Sequence, residues 1–114
     1  DLSGARLQGA DLEAASLRRA NLSGADLSGA TLRHADLSNA NAAGATLRQA
    51  DLSGAALHAT NFFRANLSGA RLAAAVAPGV ELSRADFSGA TVTTQLIERG
   101  RRDGTIMPDG SIAP

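Results

Sequence analysis

His34 and His58 are the side chains in this sequence best suited to acid–base or metal chemistry, and they stand 24 residues apart. Neither is accompanied by a second histidine or a carboxylate cluster at ligand spacing. The chain has no cysteine, so no zinc site is predicted. Serines such as Ser23, Ser28, Ser53 and Ser68 recur at regular intervals, without a nucleophile motif or an adjacent base. The glycines do not form the G-x-G-x-x-G turn that cradles a phosphate ahead of a helix. No catalytic residue, metal or cofactor is therefore expected, and the chain is read as not an enzyme. Charge narrows the field further. Eleven arginines meet eleven Asp and Glu, for a formal net charge of zero. Binders of nucleic acid or of anionic membrane need a basic excess, so neither partner is expected. No apolar run approaches the length of a membrane span, and no signal peptide is visible. The arginine-only, alanine-rich usage points to a GC-rich bacterium, with the cytoplasm favoured.

The regular serines belong to a wider pattern. Leucines stand at 2, 7, 12, 17, 22, 27, 32 and 37, and the series continues through Ala42, Leu47, Leu52, Leu57, Phe62, Leu67, Leu72, Ala77, Leu82, Phe87 and Val92. Two residues before each runs an alanine series from Ala5 to Ala90, interrupted only by Thr60 and Val80. A period of five suits no regular element. On a helix each step turns about 140°, which winds the leucines round the whole surface. On a strand an odd step alternates faces. A chain that turns once per repeat keeps both series inside. Nine of the twelve glycines fall two residues after the large apolar position, the second central place of a type II turn, where positive φ is needed. Where Arg, His, Gln or Ala stands there, some turns of another type are expected. Four corners close a coil of twenty residues. Ala42 then stacks against Phe62, small against large.

Runs such as ANLSGADLSGATLRHADLSNA, residues 20–40, carry the pattern A-(D/N)-L-x-x, and on it the chain resembles the pentapeptide-repeat family over residues 1–92. The resemblance implies an all-β fold, a right-handed quadrilateral β-helix with Leu or Phe and Ala pointing inward. Ninety-two residues make about 4.5 coils, a rod about 22 Å long at the usual strand spacing. Residues 93–114 are read as a C-terminal cap and tail. Thr93 or Thr94 would cap a short helix that Gly100 stops. Asp103-Gly104 and Asp109-Gly110 would be turns. Leu96, Ile97, Ile106 and Met107 would cover the open end of the core. The start at Asp1, in mid-repeat, leads us to expect upstream coils or another domain.

The outward charges sort by position. Acids such as Asp11, Asp26, Asp36 and Asp51 precede the central residue, and arginines such as Arg18, Arg33 and Arg48 follow it. Stacking at twenty residues would pair Arg6 with Asp26 and Asp51 with Arg71, and align Asn21, Asn41 and Asn61 as an amide ladder. Phe63 is the exception, an aromatic residue in an outward position. With Arg64 beside it and Arg84 one coil along, it is the candidate protein-binding patch. Pro78 should distort its corner, because it donates no ladder hydrogen bond. The function expected is a non-catalytic structural or protein-interaction module, a rigid rod within a longer protein. Its partner is another protein or an adjacent domain, and a monomer is favoured. The alternative, implied by the resemblance, is a DNA-mimicking protein that binds gyrase or topoisomerase, as quinolone-resistance members do.

Overall fold

The computed structural model describes residues 1–93, 96 and 100–114. Its backbone is a square coil. Single parallel bridges link each side to the side twenty residues on, from Arg6 with Asp26 to Asp86 with Ile106. Each side of five residues has a leading residue, a central residue, two turn residues and a fifth residue. Asn21-Leu22-Ser23-Gly24-Ala25 is typical.

Backbone polar groups account for this shape. The central N–H donates one coil on, as from Leu22 to the Asn41 carbonyl at 2.7 Å. The fourth N–H does the same, from Gly24 to the Ala43 carbonyl at 3.0 Å. The leading N–H donates one coil back, from Asn41 to the Ala20 carbonyl at 2.9 Å. The fifth closes the turn, from Ala25 to the Leu22 carbonyl at 3.0 Å. Only the third N–H has no backbone partner, and where Asp or Asn leads the side its side chain meets it. Ser23 N–H donates to Asn21 Oδ1 at 3.0 Å, Ser28 to Asp26 Oδ1 at 3.0 Å and Ser53 to Asp51 Oδ1 at 3.0 Å. The Asp or Asn before each leucine is thus an Asx cap on its own turn.

This accounting corrects three expectations. Turns without glycine keep the same conformation: Ala14, Arg19, His34, Gln49, Ala59 and Arg64 have φ of 57°, 59°, 58°, 60°, 53° and 58°. The fourth N–H must point at the next coil, and the ladder holds each of these residues in a region that costs about 1–2 kcal/mol outside glycine. Pro78 makes no bulge. It takes the third position, where the ladder needs no N–H and a type II turn favours proline. Its carbonyl still accepts from Ala59 at 2.9 Å, and the turn-closing bond from Val80 to Ala77 lengthens only to 3.3 Å. The asparagines Asn21, Asn41 and Asn61 do stack. Their Oδ1 atoms, however, accept from Ser23, Ala43 and Phe63 on their own turns, so the amide ladder is absent.

The core is the Leu and Ala series. Leu22 to Leu37, Leu47 to Leu57, Leu67, Leu72 and Leu82 are fully buried at their central positions, with Phe62 and Phe87. Ala42 beside Phe62 is 0% exposed, so small against large leaves no opening. Thr60, in an alanine position, is buried and donates its hydroxyl to the Leu37 carbonyl at 2.8 Å.

Pairing does not end at Val92, as the sequence reading had it. Glu81 bridges Arg101 and Asp86 bridges Ile106, so residues 101–110 return in register as two further sides. Thr105 repeats the role of Thr60, donating to the Leu82 carbonyl, and Gly104 holds the turn position at φ 71°. Between them, Thr93 Oγ1 accepts from the Leu96 N–H at 3.4 Å, and Gly100 N–H donates to the Leu96 carbonyl at 3.2 Å. The rest of the expected helix, Thr94, Gln95, Ile97, Glu98 and Arg99, lies outside the described residues. Gly100 is there for space as well: a Cβ would meet Leu82 Cδ1 at 2.6 Å and Val80 Cγ1 at 2.9 Å. The chain then reverses. Ala113 N–H donates to Thr105, Gly104 N–H to Ala113, and Met107 N–H to the Ser111 carbonyl. Gly104 and Met107 are the fourth and central donors of their sides, so the tail accepts bonds that a following coil would otherwise accept. The longest Cα dimension is 32 Å.

Candidate protein-interaction site

The Asx caps decide what the acids can do. Oδ1 is held by its own turn, which leaves Oδ2 facing the third residue of the preceding coil. Asp26 Oδ2 accepts from Gln8 Nε2 at 2.8 Å, and Asp36 Oδ2 from Arg18 at 3.1 Å. The expected pairs Arg6–Asp26 and Asp51–Arg71 therefore give way. Their backbones are bridged, but among the described residues the ion pairs are Arg18–Asp36 and Arg101–Glu81, at 3.1 and 3.7 Å. The same geometry lowers the carboxyl pKa values. Hydrogen bonds from the Ser28 hydroxyl and N–H lower Asp26, those from Ser38 hold Asp36 at about 2, and the Ser53 hydroxyl lowers Asp51.

A second period overlies the first. Asn21, Asp36, Asp51, Asn66 and Glu81, fifteen residues apart, each lead a side whose third residue is serine. The sides before the first three of these carry Arg18, Arg33 and Arg48 in third position, and the next in that series is Phe63. Fifteen residues is one coil less one side, so each step climbs a coil and moves back a side. Every arginine of the series stands one coil below the acceptor eighteen residues on: Arg18 below Asp36, Arg33 below Asp51, Arg48 below Asn66. Arg33 contributes, with Arg71, to the lowered pKa of Asp51. Phe63 takes the arginine's place below Glu81.

Phe63, in its outward position, is half-buried rather than open to solvent. The Arg64 guanidinium lies 5.1 Å from its ring centroid, a cation–π contact. An open groove on this side is lined by Phe63, Glu81, Ser83, Arg84, Arg101 and Asp103. The structure therefore brings Phe63 together with both Arg64 and Arg84, Arg64 over the ring and Arg84 along the groove. Glu81 accepts from the Ser83 N–H at 2.6 Å and faces Arg101. Sequence reasoning missed Arg101 and Asp103 because it closed the coil before residue 101, and Glu81 and Ser83 because it set only Arg64 and Arg84 beside Phe63. The signal was there: Gly104 and Thr105 keep the glycine and alanine places of the five-residue period. His34 and His58 lie on different sides of the coil, and among the described residues no three His, Cys, Asp or Glu are grouped to hold a metal.

A coil of single bridges with inward Leu and Ala, capped by an Asx turn wherever Asp or Asn leads a side, defines a class, the β-helical repeat proteins. Within it, the family model for pentapeptide repeats matches residues 1–33, 32–69 and 65–93. The chain belongs to the pentapeptide-repeat family, whose members are right-handed quadrilateral β-helices and are generally non-catalytic. Among solved structures it is similar to a pentapeptide repeat protein of the Arabidopsis thaliana thylakoid lumen, at 33% identity over 96% of this chain and 78% of that one, with TM-score 0.84. A pentapeptide repeat protein from Nostoc matches at 31% identity, covering 87% and 81% of the two chains, with TM-score 0.44. The plasmid-mediated fluoroquinolone resistance protein QnrB1 matches at 19% identity over 68% of this chain and 52% of its own, with TM-score 0.44. No curated protein matches the chain.

Proposed function

We propose that the chain is a non-catalytic protein-interaction module, a rod of about five and a half coils closed at its C-terminal end by the returning tail. It meets another protein, or a further domain of its own chain, through Phe63, Arg64 and Arg84. The observation that carries this reading is Phe63. The surrounding pattern calls for arginine at its place, and the phenylalanine instead puts an aromatic ring into the groove beside Arg84 and Arg101, where a packed rod has no use for it. A rigid rod suits this task because its surface is fixed in direction by the backbone ladder.

The quinolone-resistance alternative needs free acids on a continuous face. Here Asp26 and Asp36 each have both carboxylate oxygens engaged, by their own turns and by Gln8 and Arg18. The Asp36–Arg18 pair compensates itself, and its far field fades beyond a Debye length of about 8 Å at physiological salt, whereas Asp26 meets only the neutral Gln8 amide and keeps its negative charge. A photo-crosslinking amino acid placed at residue 63 in the host cell tests the module reading. A discrete protein adduct is expected there and not from residue 28 on the adjacent side. A gyrase supercoiling assay runs beside it. Potent, salt-sensitive inhibition removed by Asp26→Asn with Asp86→Asn, but not by Phe63→Ala, reverses the assignment.

A further inference from the structure

The returning tail is built unlike the coil it covers. A side of the coil buries its central and fifth residues, as Leu82 and Ala85 show. The segment 109–114 buries only Ala113, at 6% exposure, and leaves Ile112 71% exposed. Its hold on the rod is mostly backbone. Met107 N–H donates to the Ser111 carbonyl at 2.7 Å, Ala113 N–H to the Thr105 carbonyl at 2.8 Å and Gly104 N–H to the Ala113 carbonyl at 3.1 Å. The sides beneath do not depend on these bonds. Arg101 N–H donates back to Val80 and Ile106 N–H to Ala85, while Leu82, Arg84, Phe87 and Gly89 donate up to Arg101, Asp103, Ile106 and Pro108. Thr105 N–H closes its own turn on Arg102. The amides of one short stretch thus divide: Gly104 and Met107 are bonded to the tail, Thr105 and Ile106 to the rod.

We propose that residues 109–114 are a strap that opens as one unit while the rod stays folded, and that its opening uncovers a strand edge able to take an extended segment in its place. A segment opens locally when little apolar surface and few bonds are lost with it. Here the loss is one small side chain and the backbone bonds just named. Pro108 is held by the Gly89 N–H, so the strap begins after it. Within the strap, Asp109 Oδ1 accepts from the Ser111 N–H at 2.9 Å and from the Ser111 hydroxyl at 2.6 Å, which keeps the segment's own turn together as it moves. The uncovered edge offers two N–H donors and the Thr105 carbonyl. An unpaired edge is a template for another strand, and extended segments add to such edges through their main chains. The seated tail shows what fits: an extended chain with a small apolar residue at the place of Ala113, the one buried position.

Amide hydrogen exchange followed by NMR on the full chain is the test. The protection factors of Gly104, Met107 and Ala113 should agree within about twofold and lie about tenfold or more below those of Ile106 and Phe87. Ala113→Pro removes the donor to Thr105. It should lower the protection of Gly104 and Met107 about tenfold or more and leave Ile106 and Phe87 within about twofold of the parent. A millimolar excess of a peptide copying residues 108–114 should restore protection at Gly104 and Met107 in that variant. The same peptide with proline in place of Ala113 should not. A Met107 amide as protected as Ile106, beside an exchanging Gly104 and Ala113, means that the tail frays from its end and overturns the inference. Equal protection of all these amides and Phe87 also overturns it, because the tail would then unfold only with the rod. These two outcomes are read on the parent chain, so they stand even if circular dichroism finds the variant unfolded. Failure of the peptide to restore protection in a folded variant overturns the strand edge.

Discussion

Proline substitution at two neighbouring residues, His58 and Ala59, tests the backbone accounting most directly. His58 takes a third position on a side led by Ala56, which offers no Asx cap, and its N–H has no partner among the described bonds. Its carbonyl accepts from Asn39 at 2.8 Å, and a proline keeps that acceptor. The required φ near −60° is proline's own, and the exposed His58 side chain has little packing to lose. His58→Pro should therefore be neutral or stabilising by about 0.4–1 kcal/mol, through a stiffer unfolded chain. Ala59 is the opposite case. Its φ is 53°, and its N–H donates to the Pro78 carbonyl at 2.9 Å. Proline can neither adopt that φ nor donate, and such a change costs about 3 kcal/mol or more. Thermal unfolding followed by circular dichroism should put His58→Pro at or a few degrees above the parent. Ala59→Pro should fall roughly 10 °C or more below it. If His58→Pro falls as far as Ala59→Pro, the third N–H is not the spare one and the account of Pro78 is wrong as well.

Leu52→Asp should unfold the chain or nearly so, since Leu52 is 0% exposed among apolar neighbours and a buried charge without a partner is severely penalised. Ser53→Asp, one residue on and facing outward, loses the hydroxyl bond to Asp51 and sets a second carboxylate beside it, so it should cost about 1–2 kcal/mol, far less than Leu52→Asp; equal melting of the two would invert the inward and outward assignment. Gly100→Ala should cost about 1–3 kcal/mol by overpacking Leu82 and Val80. Gly24→Ala, with open space around its Cβ, should lose only the price of positive φ, about 1 kcal/mol; denaturant midpoints compare the two. Asp36, with its pKa at about 2 against an ordinary 3.8, contributes stability that is complete above the unfolded value and is lost as pH falls from there towards about 2. A carboxyl NMR titration should find that low midpoint and find it raised in Ser38→Ala, whose hydroxyl makes the largest contribution. An unmoved midpoint would assign the shift to some other cause.

Legibility followed the strength of each physical signal. Leu22 and Ala25 repeat inward without a slip, because every coil punishes a polar residue at those places unless, as with Thr60, a carbonyl takes its hydroxyl, and the coil could be read from them. The Asp residues before the leucines were read as surface charge, and Asn21, Asn41 and Asn61 as an amide ladder. Their partner is a backbone N–H two residues on, which composition does not display. The sides at 101–110 were hidden because Arg102 and Met107 stand where leucine is expected and the intervening stretch around Leu96 breaks the pattern. Gly104 and Thr105 were the residues that kept it. Phe63 stood out by type alone, but its neighbours Glu81, Arg101 and Asp103 depend on which coils are stacked. The fifteen-residue period that gives Phe63 its meaning was present in the letters and is visible once the coil length is known.

Two clocks therefore run along one chain, one of fifteen residues and one of twenty. Three turns of the coil hold four of the fifteen-residue chemical units, so the outer decoration behaves like the thread of a screw, while the interior stays the same at every pitch. Adding or deleting a single five-residue side would leave the core chemistry untouched and swing everything beyond it through a quarter turn. The compass bearing of the Phe63 groove, relative to the first coil, is then set by counting sides. Recombination could aim such a surface at a differently placed neighbour without inventing a new fold or a new binding face.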